Sequence, residues 1–143
     1  MRGWLYDVII NAFLEILVRV SNSKRSAYVA TYWPQVVFST LYRNEPWNCA
    51  EASHINNVLE TENLNFIFLP YNTGGHWTLL VVFINEKQIW MLNPFVNTTS
   101  AALDTYANYI QNSLLLLKNE NFEIISPRRT SQVDFISCGV LVL

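Results

Sequence analysis

HWTLLVVFINEKQIWMLNP, residues 76–94, decides how this chain folds. Two apolar runs flank the polar triplet Asn85, Glu86 and Lys87. Short β-branched and aromatic runs on either side of a tight polar return read as a β-hairpin. The return has a chemical consequence. His76 opens the first strand and Asn93 closes the second, so the hairpin brings an imidazole and a side-chain amide to one edge of a sheet. An amide that holds one ring nitrogen fixes the tautomer and leaves the other nitrogen able to act as a base. A cysteine on the far side of that ring would complete a Cys-His-Asn set.

Outward from the hairpin, the chain alternates strand and helix signals. Upstream, LNFIFLPY (64–71) is a short apolar run ending at a proline, the pattern of a buried strand. AEASHINNVLETEN (50–63) reads as a short helix, after the turn-like RNEPWNC (43–49). AYVATYWPQVVFSTL (27–41) has strand composition broken by Pro34, and SNSKRS before it is a polar loop. In WLYDVIINAFLEILVRV (4–20), Leu5, Ile9, Phe13, Ile16, Leu17 and Val20 fall near one face of an amphipathic helix, the face expected to be buried. Downstream, TSAALDTYANYIQNSLLLL (99–117) is helical with Ser100 as its N-cap, and NFEIISP (121–127) is a further strand. Repeats and linkers are absent from this pattern, so residues 1–143 read as one α+β domain.

Composition narrows the function classes. Of 143 residues, 51% are apolar and only 14% charged, so the chain can bury a real core. A net charge of −2 without a basic run gives nothing for a nucleic acid to bind. The apolar N-terminal stretch is interrupted by Asp7 and Glu15 and is too short to span a bilayer. Cys49 and Cys138 are too few for a disulfide framework, and no cysteine–histidine spacing suggests zinc. The expectation is a reduced, intracellular protein without metal or cofactor.

Cys138 lies in SQVDFISCGVLVL (131–143), where a polar stretch gives way to an apolar run. This reads as a loop entering a helix, with Ser137 near the cap. A thiol at a helix N-terminus gains from the dipole and the unpaired N–H groups there, and an imidazolium nearby adds to this. Gly139 lets another backbone approach closely. Gln132 could donate its side-chain amide to an oxyanion formed beside Cys138. Taken singly, each residue has a plainer explanation: a small buried cysteine, a structural histidine, a solvated glutamine, a turn asparagine before Pro94.

Taken jointly, they resemble the ubiquitin-like-protein-specific cysteine proteases, the sentrin/SUMO-specific protease family. GWLYDVIINAFLEIL (3–17) is similar to the family's opening Trp-Leu-x-Asp helix. The His-Trp strand is followed by a strand whose last polar residue sits where the family has its acidic triad member, 17 residues on (93 − 76). QVDFISCG (132–139) matches the nucleophile motif Gln-x-Asp-x-x-Ser-Cys-Gly. The resemblance is weak between Ser21 and Asn65.

The resemblance implies a papain-like or adenain-like cysteine protease fold: a central, mostly antiparallel sheet flanked by helices, with the nucleophile at a helix N-terminus. It implies that Cys138 attacks a peptide or isopeptide carbonyl, His76 shuttles the proton, Asn93 orients His76, and Gln132 with the Cys138 N–H holds the oxyanion. Trp4 and Trp77 match the tryptophans that wall a tunnel for a Gly-Gly tail, and Asp7 matches the opening motif's aspartate, which contacts the modifier. The partner would be a ubiquitin-like modifier, SUMO-like or NEDD8-like, or its conjugates, met by a monomer in the nucleus or cytoplasm. Two departures stand out. Asn93 replaces the usual aspartate, and the family's central helix runs on past the point where this chain stops, so a C-terminal truncation is expected. The rival readings are a catalytically impaired remnant that binds a modifier without turnover, and a processing protease of viral or mobile-element type.

Overall fold

The computed structural model describes residues 7–20, 25–31, 53–72, 76–93 and 101–127. In chain order these form α1 (Asp7–Val20), β1 (Ser26–Tyr28), α2 (Ser53–Glu60), β2 (Phe66–Asn72), β3 (Trp77–Phe83), β4 (Gln88–Leu92), α3 (Ala101–Lys118) and β5 (Glu123–Ile125). The expected hairpin is β3–β4. Its register pairs Phe83 with Gln88 and Leu79 with Leu92, leaving a four-residue loop, Ile84–Lys87. Lys87 closes that loop with a left-handed φ of 53°. The Lys87 N–H reaches back to the Ile84 carbonyl at 3.3 Å.

The sheet has the order β1-β2-β3-β4-β5. Its centre is antiparallel, β2 against β3 and β3 against β4, while β1 and β5 join the two edges in parallel. Parallel neighbours need a crossover rather than a tight turn. Helix α2 lies in the connection from β1 to β2, and α3 in that from β4 to β5. The sheet is therefore mixed, with its longest pairings antiparallel. β2 continues through Pro70 to Asn72 instead of ending at the proline. The Phe68 carbonyl accepts a bond from Val29 N–H on the β1 side. Residue 70 faces the same side, two residues on, where β1 pairing has already ended at Phe68. Pro70 thus removes no ladder bond.

Alternation along the strands divides the core. One face carries Ile67, Leu69, Tyr71, Leu80, Val82 and Ile89, covered by Ile55 and Leu59 of α2 and by Leu103, Tyr106, Ile110 and Leu114 of α3. The opposite face carries Trp77, Leu79 and Val81, covered by Ile10 and Leu14 of α1. β3 is buried on both faces, which is why its sequence is a continuous apolar run rather than an alternating one. α3 ends where Asn119 takes a left-handed φ of 54° and its N–H caps the Leu115 carbonyl at 2.9 Å.

The expected buried face of α1 is corrected here. Ile9, Phe13, Ile16 and Val20 share a face, but they are exposed, and the helix docks through Ile10 and Leu14 with Leu17 beside them. The helix is apolar on two neighbouring stripes, so periodicity does not tell which one meets the sheet. The Ser100 and Ser137 caps, the run after Thr31 and the turn at 43–49 lie outside the described residues.

Candidate active site

The hairpin delivers its two end residues to one place. His76 precedes β3 and Asn93 follows β4, and His76 Nε2 lies 2.9 Å from Asn93 Oδ1. An amide oxygen only accepts, so with Oδ1 facing the ring the proton sits on Nε2. The lone pair of the neutral ring is then on Nδ1. That is the tautomer a general base needs when its second nitrogen is to receive a proton. Both residues are half-buried, at the open end of the hairpin whose first strand is buried on both faces. The amide holds the imidazole by geometry and dipole, and offers an imidazolium no counter-charge.

Neighbouring residues pack the backbone on either side of the pair. Trp77 is 3% exposed and packs in the cluster of Ile10, Leu14, Leu79 and Val81, with Leu92 against it. The indole beside His76 is thus covered by α1. Thr78 is fully buried, and its hydroxyl donates to the Tyr71 carbonyl at 3.0 Å, tying the end of β2 to the start of β3. The sequence reading passed over Thr78. Its signal is a lone hydroxyl in a strand otherwise apolar, which a buried strand tolerates only when the group is bonded.

Asp7 opens α1, exposed, and its carboxylate accepts the Val8 N–H at 2.9 Å. An acid in the first turn suits the helix dipole. Its place relative to His76 follows from two contacts along the helix. Asn11 meets Thr31, and Glu15 accepts the Tyr28 hydroxyl at 2.9 Å, so α1 runs antiparallel to β1. β1 runs parallel to β2 and therefore toward Asn72, which pairs with Trp77. The Asp7 end of α1 lies at the His76 end of the sheet. Cys138, Gln132 and Trp4 lie outside the described residues. Among the described residues no group of three or more His, Cys, Asp or Glu could hold a metal ion, and no helix is long and apolar enough to cross a membrane.

Comparison with known proteins bears on this arrangement. The chain is 27% identical over 155 residues to a NEDD8-specific protease 2 of Schizosaccharomyces pombe, covering 97% of this chain and 34% of that relative. Among solved structures it is similar to the SUMO protease Ulp1 with its catalytic cysteine oxidised to a sulfinic acid, with a TM-score of 0.77 at 20% identity, covering 99% of this chain and 64% of that one. It is also similar to the C-terminal Ulp1 protease domain in complex with Smt3, the yeast orthologue of SUMO, with a TM-score of 0.76 at 20% identity, covering 97% of this chain and 62% of that one. At this identity the structures speak for the fold, an α+β cysteine-protease fold of the Ulp1 type. The chain spans about a third of the length of its curated relative and under two thirds of these structures. The "Ulp1 protease family, C-terminal catalytic domain" matches residues 3–143, and the chain belongs to that family.

Proposed function

We propose that this chain carries the catalytic machinery of a thiol peptidase or isopeptidase that cleaves after the C-terminal Gly-Gly of a ubiquitin-like modifier, SUMO-like or NEDD8-like. The observation that carries the reading is the 2.9 Å bond between His76 Nε2 and Asn93 Oδ1 at the ends of one hairpin. In the proposed reaction, Nδ1 of His76 takes the Cys138 thiol proton, and the thiolate attacks the carbonyl carbon of the terminal glycine. The Gln132 side-chain amide and the Cys138 N–H stabilise the oxyanion. The tetrahedral adduct collapses as His76 protonates the leaving amine, which gives a thioester. Water, activated by the same histidine, then releases the free carboxylate and restores the thiol.

Trp4 and Trp77 are the proposed flanks of the tail, and Asp7 a proposed contact to the modifier's body. Because Trp77 is 3% exposed, it offers a tail no more than an edge, and a glycine backbone is what can lie against an edge without clashing. The proposed protein works without metal or cofactor, as a monomer, in the nucleus or cytoplasm.

One observation favours a second reading. Asn93 is an amide, so the thiolate–imidazolium pair lacks the charge a carboxylate supplies, and a module that binds a modifier without turnover fits the same pair. SUMO and NEDD8 probes carrying a C-terminal electrophile separate the two. The enzyme reading expects covalent labelling at Cys138 and its loss in Cys138→Ala. Binding without labelling supports the module, and cleavage that persists in Cys138→Ala overturns the assignment of the nucleophile.

A further inference from the structure

Two hydrogen bonds clasp α1 to the chain just after β1. Asn11 Nδ2 donates to Thr31 Oγ1 at 3.1 Å, and the Thr31 N–H donates to Asn11 Oδ1 at 3.0 Å. Thr31 is 2% exposed. Donor and acceptor of one amide are thus both used, against one buried residue. Breaking the clasp from the helix side would leave a buried N–H without its partner.

The surroundings give this clasp a task. α1 is apolar on adjacent stripes: Ile10 and Leu14 are buried, while Ile9, Phe13 and Ile16 are exposed. Apolar attraction has no direction, so it does not choose between them. Rotating the helix by one residue, about 100°, would exchange one stripe for the other. The paired bonds of Asn11 are directional and, with the single bond from the Tyr28 hydroxyl to Glu15 one turn on, hold only one rotation. A single polar residue in an apolar seam fixes register in the same way elsewhere. The stripe so selected packs beneath Trp77, Leu79 and Val81, with Leu92 against the same cluster. Trp77 follows His76, and Leu92 precedes Asn93. α1 therefore packs in the cluster that holds Trp77, next to His76, and against which Leu92, next to Asn93, also lies.

We infer that Asn11 is a positioning residue for the His76–Asn93 pair: by clasping Thr31 it fixes the rotation of α1, and so the packing that sets the imidazole against the amide. The inference rests on the catalytic reading of that pair.

The test compares Asn11→Leu and Thr31→Val with the hydroxyl-retaining Thr31→Ser, all in the full chain. Three quantities are followed: hydrogen exchange at the Thr31 amide, the ring nitrogen signals of His76 by NMR, and turnover of a SUMO or NEDD8 substrate with a C-terminal fluorogenic amide. In Asn11→Leu, Thr31 exchange accelerates and the His76 signals leave the single Nε2–H pattern. kcat falls roughly ten- to a hundredfold; KM rises with it to the extent that Asp7, on the same helix, moves, so the His76 signals carry the decision. Thr31→Val, which loses one of the two bonds, moves every quantity the same way by less, and it decides the matter alone should Asn11→Leu not fold. Thr31→Ser matches the wild type. If Thr31 exchange accelerates while the His76 signals stay put, Asn11 is only a structural tie and the inference is overturned. Failure of the catalytic reading shows elsewhere: the wild type itself neither turns over nor labels, while the His76 signals still report on the clasp.

Discussion

Asn93 is where the chemistry of this site turns on a single atom. Its Oδ1 lies 2.9 Å from His76 Nε2, and a carboxylate at the same place would hold the same tautomer and add a charge. Charge-assisted hydrogen bonds are about twice as strong as neutral ones, and an imidazolium at a half-buried site feels the difference. Asn93→Asp is therefore expected to raise kcat for the proposed cleavage several-fold. Asn93→Ala, which orients nothing, is expected to lower it by about one to two orders of magnitude, part of the roughly 10²- to 10⁴-fold that a positioned general base contributes. Steady-state rates on a modifier fused to a fluorogenic amide decide it. A faster Asn93→Ala variant would show that the amide does not orient the base. The sequence carries this much because the pair is local: 17 residues of hairpin with a polar return leave few other ways for the two ends to lie. Trp77 was less legible. A Trp beside a histidine has the same letters whether it faces a substrate or a helix, and its 3% exposure depends on where α1 lands.

At the scale of elements, α1 shows what periodicity decides and what it leaves open. A helix with Ile9, Ile10, Phe13, Leu14, Ile16 and Leu17 satisfies the amphipathic pattern on more than one stripe. Its existence was readable from the sequence. Its docking face is tied to Thr31 and Tyr28, twenty and thirteen residues from Asn11 and Glu15, and no local window contains those bonds. The outcome is testable by truncation. Leu14, 2% exposed against Trp77 and its neighbours, should cost about 2–5 kcal/mol as Leu14→Ala. Ile16, 61% exposed, should stay within about 0.5 kcal/mol as Ile16→Ala. Urea unfolding of the two variants provides the comparison, and equal losses would mean that the helix docks on the other stripe. The parallel edges were invisible for a related reason. β1 and β5 are three residues each, and their direction is set by crossovers through α2 and α3 rather than by their own letters.

The molecule as a whole places its polar chemistry unevenly. The core between the sheet and α2 and α3 is apolar apart from Thr78, Ser113 and the tyrosines Tyr71, Tyr106 and Tyr109. Tyr71 and Tyr106 meet as tilted rings, 39° apart with 5.0 Å between centroids, and the Tyr106 hydroxyl is buried with no hydrogen-bond partner among the described residues. Burial pushes the Tyr71 phenol up to about 12. It pushes Tyr106 well above the ordinary tyrosine range, with Tyr109 and Tyr71 adding to the effect. The sign follows from proton counting. Above about pH 10 the unfolded chain releases these protons while the folded chain keeps them, so the folded state binds more protons and its stability falls as pH rises. The contribution is complete below the unfolded value and continues to drain until about pH 12 for Tyr71, with Tyr106 shifted in the same direction. Tyr106→Phe removes the unpartnered hydroxyl and the titrating group together. At neutral pH it should be neutral or stabilising by about 1 kcal/mol, because no bond is lost. Between about pH 9 and pH 11 its urea midpoint should fall less than that of the wild type. Midpoints measured across that range for both proteins make the comparison. Parallel declines would mean that the Tyr106 phenol ionises as readily in the folded chain as in the unfolded one, which a core closed by α2 and α3 over this sheet does not allow.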